Sequence, residues 1–165
     1  MSRAFVKESD NPVGSDLPDR PISPHPNYVT PTGMAQLRAR LQDARARKQA
    51  LEKSGGDLES AEALRALGRD LRWLEARVAS ARVIDPHGQP RDRVAFGAIV
   101  TVADESGEHI YRIVGEDEAD VEHGRVSYVS PLARALLGAK PGDEVTWQRP
   151  AGDCSIEILS VRYDG

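Results

Sequence analysis

Cysteine is almost absent from this 165-residue chain. The single Cys154 cannot form an internal disulfide, so a reducing, cytoplasmic setting is expected. It lies in a candidate strand with no second cysteine or histidine nearby, which favours packing over metal ligation. His25, His87, His109 and His123 are scattered without ligand spacing. Long apolar runs are missing too: none approaches the roughly 20 residues that a membrane span requires. The opening stretch MSRAFVKESD lacks the apolar centre of a signal peptide, so neither membrane insertion nor export is expected. With 39% hydrophobic and 29% charged residues, the composition reads as a soluble protein of one or two small domains.

What is present divides along the chain. Residues 31–83 carry 11 Lys/Arg against 7 Asp/Glu, whereas residues 84–165 carry 8 against 15. A basic middle and an acidic end suggest two surfaces with different partners, although a solvated helix face explains the same excess. Residues 8–27 hold five prolines and few large apolar side chains. They cannot bury enough surface to offset the entropy of ordering, so residues 1–29 read as a disordered, proline-rich tail. Order is expected from Tyr28, with Thr30 as N-cap and Pro31 in the first helical position.

Beyond Pro31 the apolar spacing is 3-4-3-4-3: Met34, Leu37, Leu41, Ala44, then a lapse at Lys48, then Leu51. Leu64, Leu67, Leu71, Leu74, Val78 and Ala81 repeat it after a short bend. Two helices with such seams, joined by a few residues, should fold back as an antiparallel coiled-coil hairpin over residues 30–83. Gly55-Gly56 should end the first helix through a left-handed glycine, and Asp57 should cap the second. Gly68 marks a soft point inside that second helix.

From residue 84 the period becomes two. Val94 to Val102, HIYRIVG, RVSYVS, EVTWQR and SIEILSVRY read as strands, and Ser130-Pro131 opens a short helix, LARALLG. The fold class is therefore α+β: a helical hairpin followed by an antiparallel sheet with one short helix. The acids from Glu116 to Asp120 read as a solvated loop.

Taken together, FGAIVTV, YRIVGEDEAD, SPLARALLGAKPGDEV, PAGDCSIEILSVRY and the helix entry NYVTPTGMAQLRARL resemble the bacterial Gre transcript-cleavage factors in order and spacing. That resemblance implies an FKBP-like domain over residues 84–165 that docks on the rim of the secondary channel of RNA polymerase. It further implies a hairpin that passes down the channel and a DNA-bound elongation complex as the working partner. Acidic residues at the hairpin tip, here Asp57 and Glu59, would help hold a Mg²⁺ shared with the polymerase active site, so that the polymerase cleaves its own backtracked transcript. The factor would then be an accessory protein rather than an enzyme, a monomer holding no metal stably by itself. Arg38, Arg45, Arg47 and Lys48 are candidates for contacting the nascent RNA 3′ end through phosphates. Ser130, Pro131, Leu132 and Ala133 match the docking loop and helix start.

The chain departs from the family pattern in several places. Asp57 carries over directly, but Glu59 stands one residue closer to it than the family glutamate, and Ser60 and Ala63 replace an asparagine and a tyrosine. Val129 stands where the family has Asp or Asn. Each arm of the hairpin is shorter by about one heptad, on the order of 10 Å at 1.5 Å per residue. Two readings of the tip stay open: helix capping alone, or capping together with metal-directed chemistry. Accordingly a cleavage-stimulating factor stands beside a non-cleaving channel binder of the Rnk-like or anti-Gre kind. A prolyl isomerase is a remote third, disfavoured because aromatic residues make up only 5% of the chain.

Overall fold

The computed structural model describes residues 17–164 and divides them into two compact units. The first unit is built on Leu37–Ala79 with the segment that ends at Ser23; the second combines Pro24–Gln36 with the chain from Ser80 onward.

Two long helices dominate the first unit. Helix α1 runs Pro31–Ser54 and helix α2 Leu58–Ser80, and only Gly55, Gly56 and Asp57 join them. The heptad seam is where the sequence placed it. Leu37, Leu41 and Ala44 are buried along α1, as are Leu67, Leu71 and Leu74 along α2. Lys48 is exposed, and toward the bend the seam thins to the partly buried Leu51 and Leu64. An ion pair spans the two helices, Arg45 to Glu75 at 3.3 Å.

Residues 17–23 have neither helix nor strand, as their prolines dictate, but they are not without partners. Asp19 pairs with Arg72 at 2.6 Å and Arg20 with Asp70 at 3.4 Å. The Arg20 guanidinium lies 4.1 Å from the centre of the Trp73 ring. Side-chain ties of this kind differ from the unstructured tail expected over these positions; residues 1–16 of that expected tail lie outside the described residues.

In the second unit, β1 (Tyr28–Val29) and β2 (Arg82–Val83) form a short parallel ladder. The main sheet comprises β3 (Ile99–Asp104), β4 (Gly107–Val114), β5 (Arg125–Ser127), β6 (Glu144–Trp147) and β7 (Cys154–Arg162), with helix α3 (Pro131–Leu136) between β5 and β6. Its order is β5-β4-β3-β7-β6. The expected sheet was wholly antiparallel, whereas β4 and β5 pair in parallel. The connection between them explains the difference. Two 3₁₀ turns, Glu116–Glu118 and Val121–His123, carry the chain around so that β5 re-enters in the same direction. The first strand also starts later than the alternation from Val94 suggests. Gly97, at φ 88, bends the chain just before Ile99, although Val94 and Ala98 still reach the core. That core joins Val100, Val102, Ile113 and Ile158 of the sheet to Leu132, Ala133 and Leu136 of α3. Tyr163 closes one end: its hydroxyl donates to the Arg93 carbonyl at 2.6 Å and accepts from the Ala95 N–H at 2.9 Å.

One of the acids expected in a solvated loop is buried. Glu118 is only 9% exposed. One carboxylate oxygen accepts from the Thr30 hydroxyl; the other accepts from the N–H of Thr30 at 2.9 Å and of Gly115 at 3.3 Å. Thr30 in turn caps α1, its side chain accepting from the Gly33 N–H at 3.0 Å. A carboxylate placed here meets the positive end of the helix as well as its unpaired donors. Gly33 follows from the same arrangement, because a Cβ at that position would overlap the Glu118 carboxyl.

Candidate functional site at the hairpin tip

Asp57 sits at the bend as the N-cap of α2. Its Oδ1 accepts from the Ser60 N–H at 2.7 Å, and its backbone carbonyl accepts the first helical bond, from Ala61, at 3.1 Å. The Ser60 hydrogen bonds hold the Asp57 carboxyl below the usual aspartate range, so it is an anion at neutral pH. Glu59 occupies the second helical position and is exposed, as is Glu62 one turn on. A side chain at the second position points roughly 100° around the axis from one at the third. Leu58, between the two acids, is 66% exposed.

The bend forms differently from the sequence expectation. Neither Gly55 nor Gly56 is left-handed; among the described residues the positive-φ glycines all lie in the second unit. Gly55 is instead a point of close contact: a Cβ there would stand 2.7 Å from the Ser60 hydroxyl oxygen and force that side chain to turn aside. The side chain of Ser60, in the position of the family asparagine, therefore packs back over the end of α1. A glycine at a close contact and a glycine needed for φ look identical in a sequence.

The donor set at the tip defines its chemistry. Among the described residues no group of three or more His, Cys, Asp or Glu is placed to hold a metal ion. Oδ1 is engaged by the cap, and the Asp57 residue as a whole is exposed at the bend. A single exposed carboxylate of this kind can lend a ligand to a Mg²⁺ held by other groups.

The remaining candidates fall into two classes. Arg38, Arg45, Arg47 and Lys48 are all exposed on α1, and Arg45 is drawn toward Glu75. At the other candidate surface Ser130 caps α3, its Oγ accepting from the Ala133 N–H at 3.2 Å, and Pro131 is exposed at the first position. Leu132 and Ala133 face the core, Ala133 with no exposure at all, so they position the helix and cannot themselves meet a partner. The exposed neighbours of Pro131 are Arg134 on α3 and Thr146 and Gln148 from the β6 end, which share a shallow groove with it. Arg134 was legible by spacing, three residues beyond Pro131 on the same helix face, but the β6 residues depend on the tertiary fold.

The hairpin and sheet domain belong to the same class as the chain's relatives in sequence. The family model described as transcription elongation factor GreA/GreB, C-terminal, matches residues 89–163. The transcription elongation factor GreA of Acidiphilium cryptum is 50% identical over 92 residues, covering 54% of this chain and 59% of that protein. That of Nitratiruptor is 41% identical over 120 residues, covering 67% of this chain and 74% of its own length. The chain belongs to the GreA/GreB family. It spans about three-fifths of the length of the first curated relatives it matches. A solved GreA/GreB factor from Nitrosomonas europaea aligns over 83% of this chain and 99% of its own at 26% identity, with a TM-score of 0.40, too loose a superposition to argue from.

Proposed function

We propose that this chain acts as a Gre-type transcription elongation factor. It binds bacterial RNA polymerase, enters the secondary channel with its hairpin, and rescues backtracked complexes by stimulating the polymerase's own transcript cleavage. The observation that carries this reading is Asp57: an exposed, ionised carboxylate at the bend of a two-helix hairpin, held in orientation by the cap. Bound Mg²⁺ would supply a Lewis acid and an activated water for phosphodiester hydrolysis. The contribution of this chain is narrower. The Ser60 N–H fixes the orientation of the Asp57 carboxyl, and Glu59 adds a second negative charge nearby. Arg38, Arg47 and Lys48 offer cations to the phosphates of the extruded RNA, while Pro131 and Arg134 lie on the surface that meets the channel rim.

A second reading is a non-cleaving channel binder that competes with other factors. Glu59 at the second helical position favours it, as do helices of only 24 and 23 residues. A position error of several ångströms is far outside what metal ligation tolerates. Two measurements on the full chain separate the readings. The first is competition with a known channel-binding factor for polymerase; the second is RNA shortening in a backtracked elongation complex. The first reading requires both, the second competition alone, and failure to compete removes both readings.

A further inference from the structure

Residues 84–165 carry a large acidic excess, yet three of their eight basic side chains stand in one row. Ile99 of β3 pairs with Arg112 on β4 and with Arg162 on β7, and Arg112 pairs with Arg125 on β5. The rung across the sheet therefore reads Arg125, Arg112, Ile99, Arg162. All four residues line one cleft on the sheet surface, together with Thr32, His123 and the exposed Ile110. Neighbouring strands are about 4.8 Å apart, so three guanidinium groups on long side chains can converge over Ile99.

Like charges side by side in a sheet are destabilising unless anions offset them. Two of the three arginines have such an anion. Arg112 reaches Asp164 at 2.7 Å and Arg125 reaches Asp120 at 3.2 Å. Among the described residues no carboxylate pairs with Arg162. Glu118 also borders the cleft, but both its oxygens are engaged by Thr30 and Gly115. The Asp164 side chain is 59% exposed; that of Asp120 is 35% exposed and is shared between Arg125 and His123.

We propose that this cleft is a binding site for a phosphate group, with Arg112, Arg125 and Arg162 as its ligands and Asp120 and Asp164 as placeholders in its absence. Three guanidinium forks suit a tetrahedral dianion with several acceptor oxygens; a carboxylate is satisfied by one. His123, already 2.7 Å from Asp120, stands at the rim as an additional donor. The site is independent of the hairpin tip, and its success or failure leaves the cleavage reading untouched.

The test is calorimetric titration of the full chain at low ionic strength with inorganic pyrophosphate and, separately, with a nucleoside triphosphate. Saturable one-to-one binding is expected, weakened about tenfold or more in Arg162→Gln, the effect of losing one charge-assisted hydrogen bond. Arg149→Gln, outside the cleft, should bind as the parent does. Tighter binding of the triphosphate identifies a nucleotide as the source of the phosphate; equal binding identifies the free anion. Circular dichroism of Arg162→Gln should match the parent, so that weakening reports the site and not the fold. The proposal is overturned if neither ligand saturates, or if Arg149→Gln weakens binding as much as Arg162→Gln.

Discussion

Asp57 has two roles that chemistry can separate. As an N-cap it needs only a side-chain oxygen, and asparagine serves nearly as well as aspartate. As a ligand for Mg²⁺ it needs charge. Asp57→Asn should therefore keep the amide protection of the first turn of α2, while Asp57→Ala should lose it; hydrogen exchange at Ser60 and Ala61 reads the difference. The pH dependence has a definite sign. The Asp57 carboxyl is depressed in the folded chain, so its contribution is present above the ordinary aspartate value of 3.8 and is lost as pH falls through the lower folded value. Two glycines make a second pair of predictions with opposite signs. Gly68→Ala should raise stability by about 0.5–1 kcal/mol, because a helix interior favours alanine and the new Cβ meets only Arg72, at 3.7 Å. Gly33→Ala should lower it by about 1–3 kcal/mol, because the Cβ drives into the Glu118 carboxyl in a packed site. Chemical denaturation of the two variants checks both.

At the scale of elements, the sequence carried the helices and most strands but not their ties. The 3-4 spacing of Leu37, Leu41, Leu67, Leu71 and Leu74 requires a helical seam whatever surrounds it, so the hairpin was legible. Val100, Val102 and Ile113 alternate because one sheet face is buried. The direction of β5 was not legible, since three apolar-polar residues read the same in a parallel and an antiparallel pair. Glu118 was misread for a related reason. An acid among five acidic or small residues looks solvated, and the partner that buries it, Thr30, lies 88 residues away. At the tip, the cap was predicted from Asp57 alone, whereas the role of Gly55 depends on where the Ser60 side chain falls. The tie through Glu118 has its own test. Glu118→Gln keeps the shape but removes the charge that faces the first turn of α1, and should destabilise the protein by about 1.5–3 kcal/mol in denaturant unfolding. Thr30→Val, which deletes the hydroxyl in that network, should act in the same direction and not additively with it.

For the molecule as a whole, the proposed function would divide the work along the charge of the chain. The basic stretch of residues 31–83 suits phosphates, and the acidic stretch of residues 84–165 suits a basic protein surface. Under the proposed function, association with polymerase should slow as salt rises, by an amount that Arg134→Glu changes. The central claim nevertheless rests on the tip. It is tested most directly by adding the full chain, or its Asp57→Asn variant, to backtracked elongation complexes and following the length of the RNA. Shortening with the parent chain that disappears in Asp57→Asn, with polymerase binding retained, is the predicted result. Shortening that survives Asp57→Asn, or that never occurs with the parent chain, contradicts the account.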